Sequence, residues 1–326
     1  MDDDVNQLTT AHETLHSISQ DVPVSPFFLE PWKEIMGTVH GVYLKYVGVS
    51  ALSAAGFVYL MKNDDGSRLS AAQLLGDSTR VLLSGSNSTS ASDGSLSLWR
   101  AIPALVLGYS TILNGLIAVL FKMEVGMGLI GKDKKTGDIP TWSYVIFFPF
   151  HVPTLIYTHV HTLTGTYKVE KEGKIMRAIV PVASEVQPGW WVGGCYSHQL
   201  DKDWGAIIDL TVEFPESCIK RTRGYLSLPT WDGVPATPAQ LEEAATFAVK
   251  AFEKGGDILV HCAHGRGRST TVMCACLVKA GLYEDWKEAF EKGIKPGRSV
   301  CKLNKRMKQN LQEWQERYVD KQGKGK

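Results

Sequence analysis

The chain has 326 residues, 44% of them hydrophobic and 21% charged, and a formal net charge of +1. That composition excludes a disordered chain, a collagen and a coiled coil, and six cysteines are too few for a disulfide scaffold. The small net charge excludes a simple polyanion binder and argues against a nucleic-acid partner, yet it averages over unlike parts. Residues 1–170 carry 11 Lys and Arg against 15 Asp and Glu, whereas residues 171–326 carry 24 against 19 and hold every cysteine.

Residues 1–38 read as an acidic N-terminal segment, and its first 30 residues lack the apolar core of a secretory signal. Residues 39–167 read as a mainly helical, membrane-associated region. Its clearest candidate span is 101–121, uncharged and flanked by Arg100 and Lys122; a bilayer core of about 30 Å needs about 20 such residues as a helix. A weaker candidate is 39–61, where Lys45 interrupts the apolar run near one end and snorkelling could reduce the cost. Its Ala, Ser and Gly residues suit close helix packing. Between these runs, 82–97 is a Ser/Gly-rich loop with an Asn87-Ser88-Thr89 sequon. Residues 139–167 carry no Asp, Glu, Lys or Arg but hold Pro149, Pro153 and many aromatics. Two prolines four apart are expected to break a straight helix, so this stretch reads as interfacial or re-entrant. Lys122, Lys132, Lys134 and Lys135 crowd the loop 122–138 and place it in the cytosol by the positive-inside tendency. Both termini, and a catalytic domain facing the cytosol, would follow.

From about residue 175 the pattern changes to short apolar strands, at 190–193, 205–211, 224–228 and 257–262, alternating with helices. One helix is expected from Pro238, with Thr237 as N-cap and Gln240 as its capping-box partner, ending at Gly255-Gly256. Others are expected at 268–280, 283–292 and 303–318. Strands alternating with helices predict an α/β domain over 175–320 with a largely parallel central sheet flanked by helices, followed by a basic tail, 321–326.

The chemistry is concentrated in His261-Cys262-Ala263-His264-Gly265-Arg266-Gly267-Arg268-Ser269-Thr270, between an apolar strand and a helix. Strand, short loop and helix make an anion cradle: amides of 263–268 can point at phosphate oxygens and the helix N-terminus adds its dipole. Arg268 can clamp two oxygens as a planar fork. The same surroundings lower a thiol pKa, so Cys262 is a candidate nucleophile, with Ser269 or Thr270 able to donate to its sulfur. His261 is expected to order the loop. Cys274 and Cys276 read as core residues. No metal-ligand spacing appears, and the chemistry calls for no metal or cofactor.

Residues 175–320 resemble the dual-specificity branch of the cysteine-dependent protein tyrosine phosphatases. That branch carries H-C-x5-R-[ST], matched by His261 through Ser269. The resemblance implies a cysteinyl-phosphate intermediate and a general acid on a loop about thirty residues before the cysteine, where Asp232 stands. It makes Asp209 a structural strand-end residue, and Gly193-Gly194 and Arg298-x-Val300-x-x-Leu303-Asn304 further landmarks. His264 and Gly267 stand where many protein-directed relatives have Ala and Ser. With Arg266 they resemble the basic loops of phosphoinositide and phosphatidylglycerophosphate phosphatases. Lys220, Arg221 and Arg223, and a C-terminal stretch rich in Lys and Arg, could add attraction to an anionic membrane. The implied substrate is a phosphorylated protein (phosphotyrosine, phosphoserine or phosphothreonine) or, second, a phospholipid. A phosphate-binding scaffold without turnover is the non-enzymatic alternative.

Overall fold

The computed structural model describes residues 39–62, 98–171 and 174–323. The acidic segment, the serine-rich loop with Asn87 and the last three residues of the basic tail lie outside them. The apolar runs form two long helices, α1 (Val39–Leu60) and α2 (Leu98–Lys122). At 1.5 Å per residue both reach roughly 30 Å or more, and both are long and apolar enough to cross a membrane by length and composition. They pack antiparallel through small residues. A Cβ on Gly56 would stand 3.0 Å from Leu107 and one on Gly108 3.3 Å from Phe57. Ser53 and Ser110 share a hydrogen bond of 3.0 Å, and the Ser50 hydroxyl donates to the Thr111 carbonyl. Close backbones and interhelical hydrogen bonds are how helices associate where apolar burial gives no net drive. Outside this seam the pair is apolar to its surroundings, with Leu52 76% and Ile112 74% exposed.

The aromatic run becomes α3 (Thr141–Ile146) and α4 (Phe148–Thr164), broken at Phe147. Pro149 sits in the first turn of α4, where its missing N–H costs nothing. The expected break of the straight helix falls at Phe147, and the second helix continues through Pro153. Pro153 leaves the Pro149 carbonyl without its i+4 donor, and the Asn114 side-chain amide of α2 reaches it at 3.4 Å. A polar residue in the apolar run thus supports a proline in the next element.

A hairpin of β1 (Thr166–Lys171) and β2 (Lys174–Ile179) follows, then β3 (Ala183–Gln187), neither foreseen from the sequence. The main sheet adds β4 (Trp190–Gly193), β5 (Ala206–Thr211), β6 (Tyr225–Thr230) and β7 (Ile258–His261) in the order β3-β4-β7-β5-β6. Only the β3–β4 pairing is antiparallel among its neighbours. Every residue of β5 and β7 is buried, as central parallel strands covered on both faces require. Helix α5 (Pro238–Glu253) starts in the foreseen capping box of Thr237 and Gln240. Helix α6 (Arg268–Lys279) is buried almost throughout and fills the core with Val272, Met273, Cys274 and Cys276. The expected helix at 283–292 is instead a turn, α7 (Trp286–Glu288), running into a π-helical stretch, Ala289–Ile294. Helix α8 (Lys305–Tyr318) closes the layer through Met307, Leu311 and Trp314.

A second apolar cluster joins the helical region to this domain. Phe121 of α2 and Phe150 of α4 pack with Ile130, Val212, Trp231 and Val234.

Candidate active site

The loop after β7 lies at the carboxyl end of a central parallel strand, where open α/β sheets place their ligand crevices. Gly265 takes φ +64°, and a Cβ there would stand 2.6 Å from the Gly193 backbone, so the turn requires glycine. The loop is tied to its surroundings by backbone bonds. The Cys262 amide donates to the Gly193 carbonyl, the Cys195 amide to that of Ala263, and the Lys302 amide to that of Arg266. Arg298 donates from Nε to the Gly265 carbonyl (2.8 Å) and from Nη2 to that of His264 (3.2 Å). The Thr270 hydroxyl donates to the Arg266 carbonyl (3.0 Å). Asn304 holds the neighbouring loop by donating to the Gly233 carbonyl (3.1 Å).

Cys262 is buried, with its sulfur 3.4 Å from the Ser269 hydroxyl oxygen. Burial alone would raise the thiol pKa. Arg268, the Ser269 hydroxyl and the amides of Ser269 and Arg266 outweigh it and hold the group below the ordinary thiol range. The other buried thiols, Cys218, Cys274, Cys276 and Cys301, are pushed up by burial, as is Cys195. The loop therefore singles out one cysteine.

Arg268 is fully engaged on one side. Its Nη1 donates to the carbonyls of Leu210 (3.1 Å) and Thr230 (2.6 Å), and its Nη2 lies 2.6 Å from Glu213 Oε1 and 3.5 Å from Asp232 Oδ1. Its buried Nε has no partner, a free donor suited to a phosphate oxygen. The sequence reading missed Glu213, which orients this guanidinium; its place just beyond the end of β5 carries no local signal.

Asp232 stands on the loop after β6, one third exposed. Burial raises its carboxyl pKa, but Arg268, Lys45 and His264 outweigh that and leave it below the usual carboxylate range. Two of its supports come from the helical region. The neighbouring Trp231 is wholly buried, stacks on Phe121 at 4.4 Å and donates its indole N–H to the Val125 carbonyl at 2.7 Å. Lys45 of α1 does not simply snorkel away: its ammonium lies 4.4 Å from the Tyr157 ring centre and acts on both Asp232 and His264. The rim is completed by His161 of α4, whose ring centre is 4.7 Å from that of His264.

His261 faces Glu216 and Asp209. Its Nε2 is 2.5 Å from Glu216 Oε2 and 3.7 Å from Asp209 Oδ1. Burial works against its charge, yet Glu216 and Asp209 push it up to about 9. Asp209 accepts from the Thr211 amide and hydroxyl (2.8 Å each) and from the Tyr225 hydroxyl (2.9 Å), the structural role foreseen for it. It also pairs with Lys132, whose ammonium donates to the Thr211 carbonyl and hydroxyl. Burial works upward on Asp209, but Lys132 and His261 hold it down at about 2. Lys132 is thus no surface charge of a basic loop, as its sequence position suggested, but a buried counter-ion of the catalytic domain. Asp209, Glu216 and His261 bring ligand-type atoms within 4.8 Å of one another. The cationic place in that cluster is already taken by Lys132 and the imidazolium.

Two of the basic residues before the acid loop, Arg221 and Arg223, are also committed. Arg221 pairs with Asp201 and Asp203, and Arg223 donates to the Gly255 carbonyl.

Residues 194–317 match the family model for the dual specificity phosphatase catalytic domain. Dual specificity protein phosphatase 5 of Rattus norvegicus is 35% identical over 100 residues, 30% of this chain and 25% of that protein. The chain thus spans about a quarter of the length of that curated relative. Among solved structures, human DUSP28 is similar at 24% identity over 42% of this chain and 95% of that one, with a TM-score of 0.37. PTPMT1 in complex with PI(5)P is similar at 21% identity over 44% and 99%, also at 0.37. The match to the dual specificity phosphatase catalytic domain thus covers residues 194–317, which contain the loop from His261 to Thr270.

Proposed function

We propose that the chain is a membrane-tethered phosphatase that hydrolyses phosphate monoesters through Cys262 without a metal. The observation that carries this reading is the convergence of a thiol with a lowered pKa, the free Nε of Arg268, and Asp232 beside the same guanidinium. The Cys262 thiolate attacks phosphorus; a P–S bond forms as the bond to the leaving oxygen breaks, and Asp232 gives that oxygen its proton. Water then attacks phosphorus, Asp232 takes a proton from it, and the P–S bond breaks. The Ser269 hydroxyl donates to the departing thiolate. Arg268 and the loop amides from Ala263 to Arg268 hold the phosphoryl oxygens throughout. A bound phosphate dianion competes with Asp232 for Arg268, which raises the carboxyl pKa and supplies the protonated acid that the first step needs.

The family supports phosphorylated tyrosine, serine or threonine as the ester. A phospholipid is the second reading. It is favoured by the rim, where Lys45 and His161 from the apolar helical region stand beside the catalytic loop. The test uses the full chain in detergent or nanodiscs, with phosphopeptides and phospholipid vesicles as competing substrates. Phosphate release that Cys262→Ser abolishes, and a 32P-labelled enzyme trapped by acid quench, are expected. Release unchanged by Cys262→Ser would overturn the reading, and protease protection of a C-terminal tag in sealed vesicles would overturn the cytosolic placement.

A further inference from the structure

Helices α3 and α4 are built the reverse of a helix pair that faces water. Residues 139–167, which contain both, hold no Asp, Glu, Lys or Arg. Alongside Phe147 and Phe150 they bury Ser143, His151 and Thr158. The Ser143 hydroxyl lies 3.1 Å from His151 Nε2 and pins the two arms together. Their outer face is apolar: Val145 is 69% exposed, and Ile146, Val152, Leu155 and Ile156 are exposed as well. A helix in water buries its apolar stripe and shows its polar one, so this face is matched to an apolar surrounding. The α1–α2 pair has the same sense, with Ser53, Ser110 and Asn114 inside and Leu52 and Ile112 outside.

The break between α3 and α4 fixes how far the pair reaches along α2. At its start, α3 lies beside the loop that follows α2: a Cβ on Gly131 would stand 2.6 Å from the Trp142 ring. At the break, the Tyr109 hydroxyl donates to the Ile146 carbonyl, and the Tyr109 ring centre is 6.0 Å from that of Phe148. Tyr109 stands midway along α2. Helix α4 then returns. Asn114 meets the Pro149 carbonyl, Lys45 lies over Tyr157, and His161 stands beside His264 of the catalytic loop. The two arms thus climb to half the height of α2 and come back to the same end. Neither arm has the about 20 residues that a crossing needs, since α3 has 6 and α4 has 17. The Ile146 carbonyl at the break has a donor from the protein, the condition for irregular backbone at membrane depth.

We propose that α3 and α4 form a re-entrant hairpin whose outer face is covered by the acyl chains of the bilayer, entering to about half the depth of α2 and returning to the side of the catalytic domain. The proposal rests on the membrane-tethered reading, with α1 and α2 as the spans. It has a consequence for the site. From Phe148 to His161 the helix runs roughly 20 Å, against about 15 Å from the middle of a bilayer core to its edge. His161 and the catalytic loop beside it then stand in the head-group layer. The test is photolabelling of the full chain in nanodiscs of phosphatidylcholine that carries a diazirine at the end of one acyl chain, with adducts mapped by mass spectrometry. Adducts are expected on α1 and α2 and also on α3 and α4, at Val145, Ile146, Val152, Leu155 or Ile156. Adducts on α1 and α2 with none on α3 and α4 would overturn the proposal and leave the tethering intact. Adducts on none of the four helices would overturn the tethering as well. A second measurement needs no lipid probe. The Ile146→Cys chain in sealed vesicles is exposed to a membrane-impermeant maleimide, added outside or enclosed within. Labelling at position 146 is expected to be lost from both sides and recovered after denaturation in dodecyl sulfate. Labelling from either side of intact vesicles overturns the proposal.

Discussion

The two halves of the candidate machinery are held in different ways. The nucleophile half is supported from within its own domain: Cys262, Ser269 and the loop amides lie within a few residues of one another, and Arg298 laces the loop from outside. The acid half is supported from far away. Trp231 beside Asp232 is packed on Phe121 and Phe150 and bonded to Val125, 106 residues earlier in the chain, while Lys45 acts on the carboxyl itself. A phosphate loop can therefore form wherever the α/β domain folds, but the acid is set by the apolar helices. The difference makes the helical region a support of the loop that carries Asp232.

The comparison is broken most severely at the acid. Asp232→Asn keeps the shape and removes the proton donor. It is expected to lower kcat by roughly 10²–10⁴ for substrates with poor leaving groups and to abolish the fall in rate at high pH. Phosphoenzyme formed from a good leaving group, such as para-nitrophenol, should persist. An unchanged pH–rate profile would remove Asp232 from the mechanism.

Lys132→Met tests whether the helical region also supports the loop side. It strands Asp209 beneath the sheet end, and breaking a buried pair costs roughly 3–5 kcal/mol, read as a lower unfolding temperature in detergent. The pH dependence gives the sign. The Asp209 contribution is present above the ordinary carboxylate pKa and is lost as pH falls towards about 2. That of His261 is present below the ordinary imidazole pKa and is lost as pH rises through about 9. The unsubstituted chain should therefore draw the full stabilisation of both groups between about pH 4 and 6.5. Without Lys132 the acid edge should move to higher pH.

Trp231→Phe is milder. It keeps an aromatic ring against Phe121 but removes the N–H that meets the Val125 carbonyl, a loss of about 1–3 kcal/mol where the acceptor stays buried. The expected signature is a severalfold fall in kcat with KM unchanged. A change in KM alone would mean that the indole serves substrate entry instead of the acid.

Much of the nucleophile half was legible because its meaning is local. An apolar strand, a glycine-rich loop and a helix occur in sequence order, and the capping box of Thr237 and Gln240 marks α5 in the same way. The acid half was legible only at Asp232, through its distance from Cys262. Glu213, Lys132 and Lys45 were hidden because each acts across a long separation; Lys132 meets Asp209 77 residues away. The continuation of α4 through Pro153 was hidden in the same way, since the Asn114 amide that supports it belongs to another helix. The β1–β2 hairpin and the short edge strand β3 lack the long apolar runs that mark central parallel strands in a sequence.

Lys45 gives the finest test of the comparison, since it touches the acid by charge alone. In the resting site its ammonium helps to hold Asp232 ionised. Lys45→Met keeps the length and the apolar stem and removes the charge, so the Asp232 pKa should rise. The acid must be protonated in the first step, and the rate falls as pH climbs through its pKa. The basic limb should therefore move to higher pH, by less than about one unit for a partly hydrated pair. The acidic limb, set by the Cys262 thiol and the substrate, should stay where it is. A shift of the basic limb to lower pH, or an equal shift of both limbs, would mean that Lys45 acts on the bound phosphate and not on the acid. Salt sharpens the choice, because a through-space effect on Asp232 weakens as ionic strength rises, whereas the Trp231 bond to Val125 does not depend on it.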